Sequence, residues 1–255
     1  MYIDNNWRSV ARAIKRAILG NTNENLGGRN FYLTYDARTL QQEDDYPHLL
    51  GLAHGKKCIF DVGANIGRTS LLMSTALSQG GEIIAFEASE FTSRILLENI
   101  YLNGLDQQIS AVNSLVAGTS GDVLDFYWEY SSGGASAIPG YLGHNLNMKK
   151  ATLALDDYVR FTGKQPDFIK IDVEGAEAQV LNGMHSILAS FHPLVAVEIH
   201  SWKSCTLPEN AKNIVAIFQS FGYSLREMIS DSPVTLESIA KWQGFRRFVV
   251  AKFEN

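Results

Sequence analysis

Short apolar runs alternate with segments of helical periodicity from residue 56 onward. The runs are CIFDV (58–62), EIIAFEA (82–88), QISAVNSLVAG (108–118), DFIKIDV (167–173) and PLVAVEIH (193–200). Apolar residues at helical spacing follow at about 66–78, 91–102, 175–190 and 209–221. Near-continuous apolar strands that alternate with helices are typical of parallel βαβ units whose sheet is covered on both faces. The pattern therefore predicts an α/β fold with a mostly parallel sheet.

Two later stretches depart from this alternation. YSLREMI (223–229) and FRRFVVAKF (245–253) have no helix of ordinary length between them, which predicts a final antiparallel pair at one edge of the sheet. Residues 122–151 have no helical period and contain aromatic, Gly, Ser and Pro residues. We interpret this insertion as an extra strand at about 123–129, followed by a loop over the substrate side.

The N-terminal stretch has a different character. Apolar residues at helical spacing, with basic residues between them, predict an amphipathic helix over about residues 6–19. Such a helix could lie on an anionic membrane, pack on the main domain, or join a second subunit in a homo-oligomer. Residues 21–30 have the composition of a turn-rich linker. The predicted organisation is an extension over residues 1–50 and one catalytic domain over residues 51–255.

Composition narrows the functional class. The chain has 255 residues, with 22 Lys and Arg against 27 Asp and Glu, a net charge of -5. This balance disfavours a nucleic-acid substrate bound through its phosphates. Two cysteines are too few for a disulfide framework or a cysteine-built zinc site. The absence of a transmembrane run and of a secretion signal predicts a cytoplasmic enzyme.

The most specific chemical signal is IFDVGANIG at 59–67. A strand ends with Asp61, Gly63 follows, and Gly67 begins the next helix. Glycines allow a close backbone approach to a ligand at the carboxyl end of the strand. Asn65 and Arg68 stand where the dinucleotide motif G-x-G-x-x-G requires glycines, so a pyrophosphate-binding turn is not predicted.

Glu87 ends the second strand, about 20 residues beyond the glycine turn. An acidic residue at this spacing binds ribose hydroxyls of adenosine-containing ligands. Together with Asp61 and the missing third glycine, Glu87 favours an adenosine ligand that lacks a pyrophosphate. S-adenosylmethionine fits, with its ribose on Glu87 and its ammonium near Asp61. The alternative interpretations are a helix cap for Asp61 and a surface charge for Glu87.

Two further strand ends carry polar side chains. In DFIKIDVEG, Lys170, Asp172 and Glu174 alternate with apolar residues and share one face if the strand continues that far. Lys170 could pair with either acid as a structural ion pair. In VEIH, Glu198 and His200 point to the same side of the fifth strand, and His200 is the candidate general base near neutral pH.

These strings resemble the FkbM-type family of S-adenosylmethionine-dependent methyltransferases. The matching segments are FDVGANIG, AFEAS with LLENIYLNGL (96–105), ATLALDDYV (151–159), and DFIKIDVEGAEAQVLNGM followed by VAVEIH. The resemblance implies the class I methyltransferase fold, a Rossmann-like sheet of seven strands in the order 3-2-1-4-5-7-6 with the last strand antiparallel. It also implies methylation of a hydroxyl on a small molecule, sugar or glycan.

The resemblance also implies roles for individual residues. Asp61, Gly63, Asn65 and Gly67 would form the loop at the methionine side of the cofactor, and Glu87 would hold the ribose. Ser114 would lie near the adenine. Asp172 would sit beside the sulfonium and the acceptor. With His200 as the candidate base and Glu174 just beyond Asp172, the predicted catalytic residues are Asp172, Glu174 and His200.

Alternatives remain at this stage. We predict no metal, because no compact ligand motif is present. If Mg²⁺ acidified the hydroxyl, its oxygen ligands would be Asp156, Asp172, Glu174 and Glu198. The rival functions are an NAD-dependent oxidoreductase on a Rossmann-like fold and a non-catalytic nucleotide-binding module.

Overall fold

The computed structural model describes residues 20–34, 44–128, 135–138 and 146–254. Its helices are α1 Tyr46–Ala53, α2 Arg68–Ser74, α3 Glu90–Leu102, α4 Leu155–Thr162, α5 Glu177–Asn182, α6 His185–Ser190, α7 Leu207–Ser220 and α8 Leu236–Ile239. Its strands are β1 Thr22–Leu26, β2 Arg29–Leu33, β3 Cys58–Val62, β4 Glu82–Phe86, β5 Ile109–Val112, β6 Leu115–Val116, β7 Val123–Trp128, β8 Ala135–Ser136, β9 Leu146–Leu153, β10 Phe168–Ile171, β11 Leu194–His200, β12 Tyr223–Glu227 and β13 Arg246–Phe253. Within these ranges, no helix is long and apolar enough to cross a bilayer.

A seven-stranded sheet in the order β12-β13-β11-β10-β3-β4-β5 forms the centre of the fold. Strand β13 is antiparallel to both of its neighbours, and the other pairings are parallel. Numbered in chain order within this sheet, the strands follow the order 3-2-1-4-5-7-6. This order and the antiparallel last strand, which the family resemblance implies, are therefore confirmed, as is the predicted antiparallel pair.

Apolar side chains cover both faces of the sheet, as the continuous apolar runs predict. Along β3, Phe60 and Val62 pack into a core with α5, α6 and α7, whereas Ile59 packs into a second core with α1, α2 and α3. This alternation follows from the period-two geometry of a strand. The sheet is therefore buried on both sides, and only the ends of its strands can open onto a cleft.

The interpretation of residues 21–30 as a linker is wrong. Strands β1 and β2 form an antiparallel hairpin that buries Leu26, Phe31 and Leu33 completely. The Asn and Gly residues that suggest a linker make the hairpin's turn, where the Asn25 side chain accepts a hydrogen bond from the backbone N–H of Gly28. The predicted amphipathic helix at 6–19 lies outside the described residues.

The strand predicted over 108–118 is two strands, and the insertion contains more sheet than expected. Strand β5 joins the central sheet, while β6 pairs with β9 in a four-stranded sheet of order β6-β9-β7-β8. The extra strand predicted at about 123–129 is confirmed as β7. The prediction of a loop after it is wrong for Leu146–Leu153, because this segment forms β9 and pairs with β7.

The single helix predicted over 175–190 is divided into α5 and α6. The division lies at Gly183, where a Cβ atom would be 2.1 Å from the carbonyl oxygen of Ala117. The backbone of the second sheet therefore approaches too closely for any other residue there. Asp156 satisfies the first turn of α6, because its carboxylate accepts hydrogen bonds from the backbone N–H groups of Ser186 and Ile187.

Candidate functional site

A cavity opens at the carboxyl ends of β3, β4 and β10, where ligands bind in open α/β sheets. The residues that line it are Val62, Gly63, Asn65, Phe86, Glu87, Ala88, Ser114, Leu115, Val116, Phe126, Ala137, Asp172, Val173, Glu174 and Ala176. Six of the predicted site residues therefore border one space: Gly63, Asn65, Glu87, Ser114, Asp172 and Glu174. Asp61, Gly67 and His200 do not line it, and lie behind its wall or beside it.

The glycine turn after β3 has the close backbone approach that the sequence predicts. Gly63 has φ of +78°, and a Cβ atom there would lie 1.7 Å from the carbonyl oxygen of Asp172. Gly67 has φ of +93°, and its Cβ would meet the Leu96 side chain of α3 at 2.6 Å. Both positions therefore require glycine. At Gly63 the close neighbour is the backbone after β10, and at Gly67 it is a side chain of α3.

Asp61 is fully buried and contacts the protein rather than the cavity. One carboxylate oxygen accepts hydrogen bonds from the Thr69 and Ser70 hydroxyls at 2.8 and 2.6 Å, and the other lies 3.4 Å from Lys170 Nζ. The same Nζ donates to the Asp172 carboxylate at 3.3 Å and to the Gly63 carbonyl at 3.4 Å. Lys170 therefore pairs with Asp172, one of its two predicted partners, and additionally with Asp61.

Electrostatics keep Lys170 charged in spite of its burial. Burial alone would lower the pKa of its ammonium, but the negative charges of Asp61 and Asp172 outweigh that effect and raise the pKa above its ordinary value. An ammonium with two carboxylate neighbours is stable where an isolated one would lose its proton. The cation thus links the glycine turn to the end of β10.

Glu87 lies at the cavity wall with its carboxylate already oriented. It accepts hydrogen bonds from the backbone N–H groups of Asn65 and Ser89 at 2.9 and 2.7 Å and from the Thr92 hydroxyl at 2.8 Å. Burial raises the pKa of Glu87, while these hydrogen bonds oppose the rise. A fixed, buried acceptor at the end of β4 is suited to bind the hydroxyls of a ribose.

Carboxyl groups surround the ring of His200 on the other side of Asp172. Its Nδ1 lies 2.9 Å from Glu177 Oε1. Its Nε2 lies 3.6 Å from Glu174, 3.8 Å from Glu198 and 3.9 Å from Asp172. We call Asp172, Glu174 and His200 the carboxylate–histidine cluster. Each offers one ligand atom, and these atoms lie within 4.8 Å of one another, which suits a metal ion.

The two predicted proton acceptors influence each other. Burial would lower the pKa of His200, but its hydrogen bond to Glu177 and the charge of Asp172 raise it to about 10. Burial would raise the pKa of Asp172, but Lys170 and His200 lower it below its ordinary value. Without another cation, the pair is therefore a protonated imidazole beside a carboxylate at neutral pH.

Sequence reasoning missed the residues that orient His200. Glu177, at the start of α5, is fully buried and accepts hydrogen bonds from the Gly175 backbone N–H at 2.8 Å and from the Asn210 side chain at 3.1 Å. Asn210 also donates to the His200 carbonyl at 2.9 Å. Glu177 lies inside the matching string DVEGAEAQV, but nothing in the sequence alone indicates that its side chain reaches His200.

The insertion covers the cavity from above. Phe126 of β7 and Ala137 after β8 line it, and the Ser136 hydroxyl donates to the Glu174 carbonyl at 2.6 Å. Across the turn after β10, a Cβ on Gly175 would approach Trp202 and Ile138 to 3.2 and 3.3 Å. The described part of the insertion thus lies against the cavity, next to Glu174 and Gly175, and its predicted place over the substrate stays a prediction.

Comparisons with known proteins identify the family of the chain. The family model of the methyltransferase FkbM domain matches residues 61–225. The hexuronic acid methyltransferase AglP of Haloferax volcanii is 32% identical over 167 residues, which cover 64% of this chain and 65% of that protein. The methyltransferase sdnD of Sordaria araneosa is 26% identical over 157 residues, 49% of this chain and 60% of that protein. The chain thus spans less than two thirds of the length of either relative.

Solved structures support the fold. The O-methyltransferase from Bacillus cereus in complex with SAH matches with a TM-score of 0.50 at 16% identity, covering 86% of each chain. A protein from Klebsiella pneumoniae that is named as a candidate O-methyltransferase matches with a TM-score of 0.50 at 13% identity, covering 100% of each chain. At such identities the likeness concerns the fold alone.

Proposed function

Because the chain belongs to the FkbM methyltransferase family, we propose that it transfers a methyl group from S-adenosylmethionine to an oxygen atom of a small molecule or carbohydrate. The family's domain model matches residues 61–225 of the chain's 255 residues. The observation that carries the proposal is the convergence of Gly63, Glu87 and Asp172 on one cavity at the carboxyl edge of the sheet. An NAD-dependent oxidoreductase is disfavoured, because Asn65 and Arg68 replace the glycines of a pyrophosphate-binding turn.

The residues at the cavity fit the cofactor. Glu87 presents a fixed carboxylate for the ribose hydroxyls, and Ser114, which the family resemblance puts near the adenine, lines the same cavity. Gly63 and Asn65 form the turn along the methionine portion, where the missing Cβ of Gly63 leaves room for a close approach. Asp61 and Gly67 act from behind this wall, because they shape the turn and do not border the cavity.

When bound, S-adenosylmethionine supplies a methyl group that passes to the acceptor oxygen as the carbon–sulfur bond breaks and the carbon–oxygen bond forms. The protein's main contribution is to hold the two reactants in line at near-contact distance. A hydroxyl acceptor also loses its proton. Asp172 borders the cavity and is the unprotonated group for that proton, whereas the His200 ring, protonated at neutral pH, lies behind it and Glu174 lies at the rim beside them.

A carbohydrate acceptor is supported by the relative from Haloferax volcanii, whose name gives hexuronic acid as its substrate. The net charge of -5 argues against an acceptor that is recognised through many phosphates. Incubation with radiolabelled S-adenosylmethionine and a panel of sugars, uronic acids, glycans and non-sugar hydroxyl compounds tests this class. Label transfer to a member of the panel supports a carbohydrate acceptor, and transfer only to non-sugar hydroxyl compounds contradicts it.

Calorimetry tests the cofactor assignment. We expect S-adenosylmethionine and S-adenosylhomocysteine to bind with one site per chain and NAD not to bind. Glu87→Ala should weaken S-adenosylhomocysteine binding at least about tenfold, because a ribose loses its buried acceptor. Glu90→Ala is the matched control, since that nearby carboxylate is 58% exposed. Tighter binding of NAD, or no binding of either adenosine cofactor, contradicts the proposal.

A further inference from the structure

The carboxylate–histidine cluster presents a mixed set of nitrogen and oxygen ligands at the acceptor side of the cavity. Asp172 and Glu174 follow β10, and His200 ends β11, so three separate backbone positions bring one ligand atom each to the same point. Asp172 and Glu174 border the cavity and the His200 ring is buried behind them. A ligand atom of each lies within 4.8 Å of the others.

The separations suit a cation between these atoms. His200 Nε2 lies 3.6 Å from Glu174 Oε2 and 3.9 Å from Asp172 Oδ1. A direct charge-assisted hydrogen bond would bring each pair to about 2.7–2.9 Å. Ligand atoms bound at about 2.0–2.2 Å to one tetrahedral metal ion lie about 3.3–3.6 Å from each other. The observed spacing is therefore closer to a coordination shell than to hydrogen-bonded pairs.

Several carboxyl groups and cationic side chains lie around the His200 ring. Four carboxyl groups of the described residues lie within 4.0 Å of the His200 ring, namely those of Asp172, Glu174, Glu177 and Glu198. Among the described side chains, Lys170 pairs with Asp172 and Arg246 pairs with Glu198 at 2.6 Å. Ionised carboxylates this close in a poorly solvated site repel each other, and without a metal the protonated His200 ring offsets that repulsion. A divalent cation bound to Asp172, Glu174 and Nε2 would take the place of that proton.

The environment of the other ring nitrogen is an independent indication. Nδ1 of His200 lies 2.9 Å from Glu177, a buried carboxylate that is itself fixed by Asn210 and the Gly175 backbone. Metal-ligating histidines usually donate their second N–H to such a carboxylate, which sets the tautomer and directs the other nitrogen's lone pair at the metal. With Nδ1 donating to Glu177, the lone pair on Nε2 is directed to the side of Asp172 and Glu174.

We infer that Asp172, Glu174 and His200 bind a divalent metal ion whose open coordination positions face the acceptor. The imidazole ligand favours an ion of the iron or zinc type over Mg²⁺ or Ca²⁺, and the two carboxylates also suit Mn²⁺. Asp156, named with the oxygen ligands from the sequence, is not among them because its carboxylate is bound to the start of α6. The metal would orient an acceptor oxygen and lower the pKa of its hydroxyl. That role rests on the proposed methyl transfer, whereas metal binding does not.

Manganese binding to chelator-treated full-length protein tests the inference. We expect Mn²⁺ to bind with one site per chain, and pulsed electron paramagnetic resonance to detect coupling to the imidazole nitrogen. Glu174→Gln should weaken Mn²⁺ binding by at least about tenfold. This side chain is partly exposed, so the variant should fold, which circular dichroism checks. Glu90→Gln, an exposed carboxylate elsewhere, is the control and should bind Mn²⁺ as the unaltered chain does.

The outcomes separate this inference from the proposed function. Absence of saturable Mn²⁺ binding, equal affinities for the two variants, or a bound Mn²⁺ without nitrogen coupling would overturn the metal site. Calorimetry with S-adenosylhomocysteine on the same samples reports on the cofactor site alone. Cofactor binding without Mn²⁺ binding rejects only the metal. Mn²⁺ binding with the expected variant effects, in a protein that binds no adenosine cofactor, supports the metal and rejects the methyltransferase proposal.

Discussion

Replacing Gly63 with alanine should destabilise the protein far more than an ordinary glycine substitution. The added Cβ would lie 1.7 Å from the Asp172 carbonyl oxygen, whereas real Cβ contacts are essentially never below 3.0 Å. Neither partner can rotate away, because both are backbone groups. Asp172 is held by a hydrogen bond from its N–H to the Val62 carbonyl at 3.0 Å. Strands β3 and β10 would therefore have to separate by more than about 1 Å where they are paired.

Two contributions give the magnitude. A non-glycine residue in the left-handed region costs about 1–2 kcal/mol, and overpacking of a rigid contact adds about 1–3 kcal/mol or more. We expect Gly63→Ala to lower the free energy of unfolding by about 2–5 kcal/mol, out of the roughly 5–15 kcal/mol typical of a domain. Gly104→Ala isolates the first contribution, because Gly104 has φ of +64° and no atom lies within 4 Å of the position that its Cβ would take.

Urea denaturation followed by circular dichroism measures both variants under identical conditions. If the close approach of the two strand ends is correct, Gly63→Ala is less stable than Gly104→Ala by at least about 1 kcal/mol. Equal stability of the two variants would refute the clash, and with it the view that Gly63 is required by the neighbouring backbone. Loss of S-adenosylhomocysteine binding in Gly63→Ala alone would further link the turn to the cofactor.

Three other outcomes follow from buried groups. Lys170→Met should lower the free energy of unfolding by about 3–5 kcal/mol, because two carboxylates lose their buried cation. Urea denaturation measures this, and an unchanged midpoint contradicts the pairing. Asn99→Ala should lower it by about 1–3 kcal/mol, because the backbone carbonyl of Ile66 loses a buried donor at 2.8 Å, and hydrogen exchange should increase in that turn. Burial raises the pKa of Cys58 to about 12, so its thiol stays neutral at pH 8. Iodoacetamide should therefore modify the partly exposed Cys205 first, which mass spectrometry measures.

Much of the central sheet could be predicted because its strands are encoded locally. Each strand is a short apolar run, because a strand that is buried on both faces has no alternating polar residues. The strand order is not local information and came from the family resemblance. The hairpin β1–β2 was missed for a physical reason: Asn and Gly make turns in linkers and in hairpins alike, and only Leu26 and Phe31, fully buried, distinguish the two.

The site also contains residues that the sequence identifies and residues that it does not. Residues at strand ends, such as Glu87 and Asp172, could be identified because position along a strand determines which edge they reach. Glu177 could not, because its role depends on the distance between the start of α5 and the end of β11, which no spacing along the chain encodes. The same holds for Asn210, which reaches Glu177 from α7.

The position of Asp61 changes the interpretation of the acidic strand ends. Asp61 and Lys170 are register partners on the neighbouring strands β3 and β10, and Asp172 is two residues beyond Lys170. One buried ammonium therefore contacts the base of the proposed cofactor turn and a residue of the proposed acceptor side at the same time. Since neither carboxylate can move away without leaving the buried ammonium short of a partner, the two halves of the site are fixed relative to each other. In-line methyl transfer, as proposed above, depends on that relative position, so we expect the buried ion cluster to position both reactants.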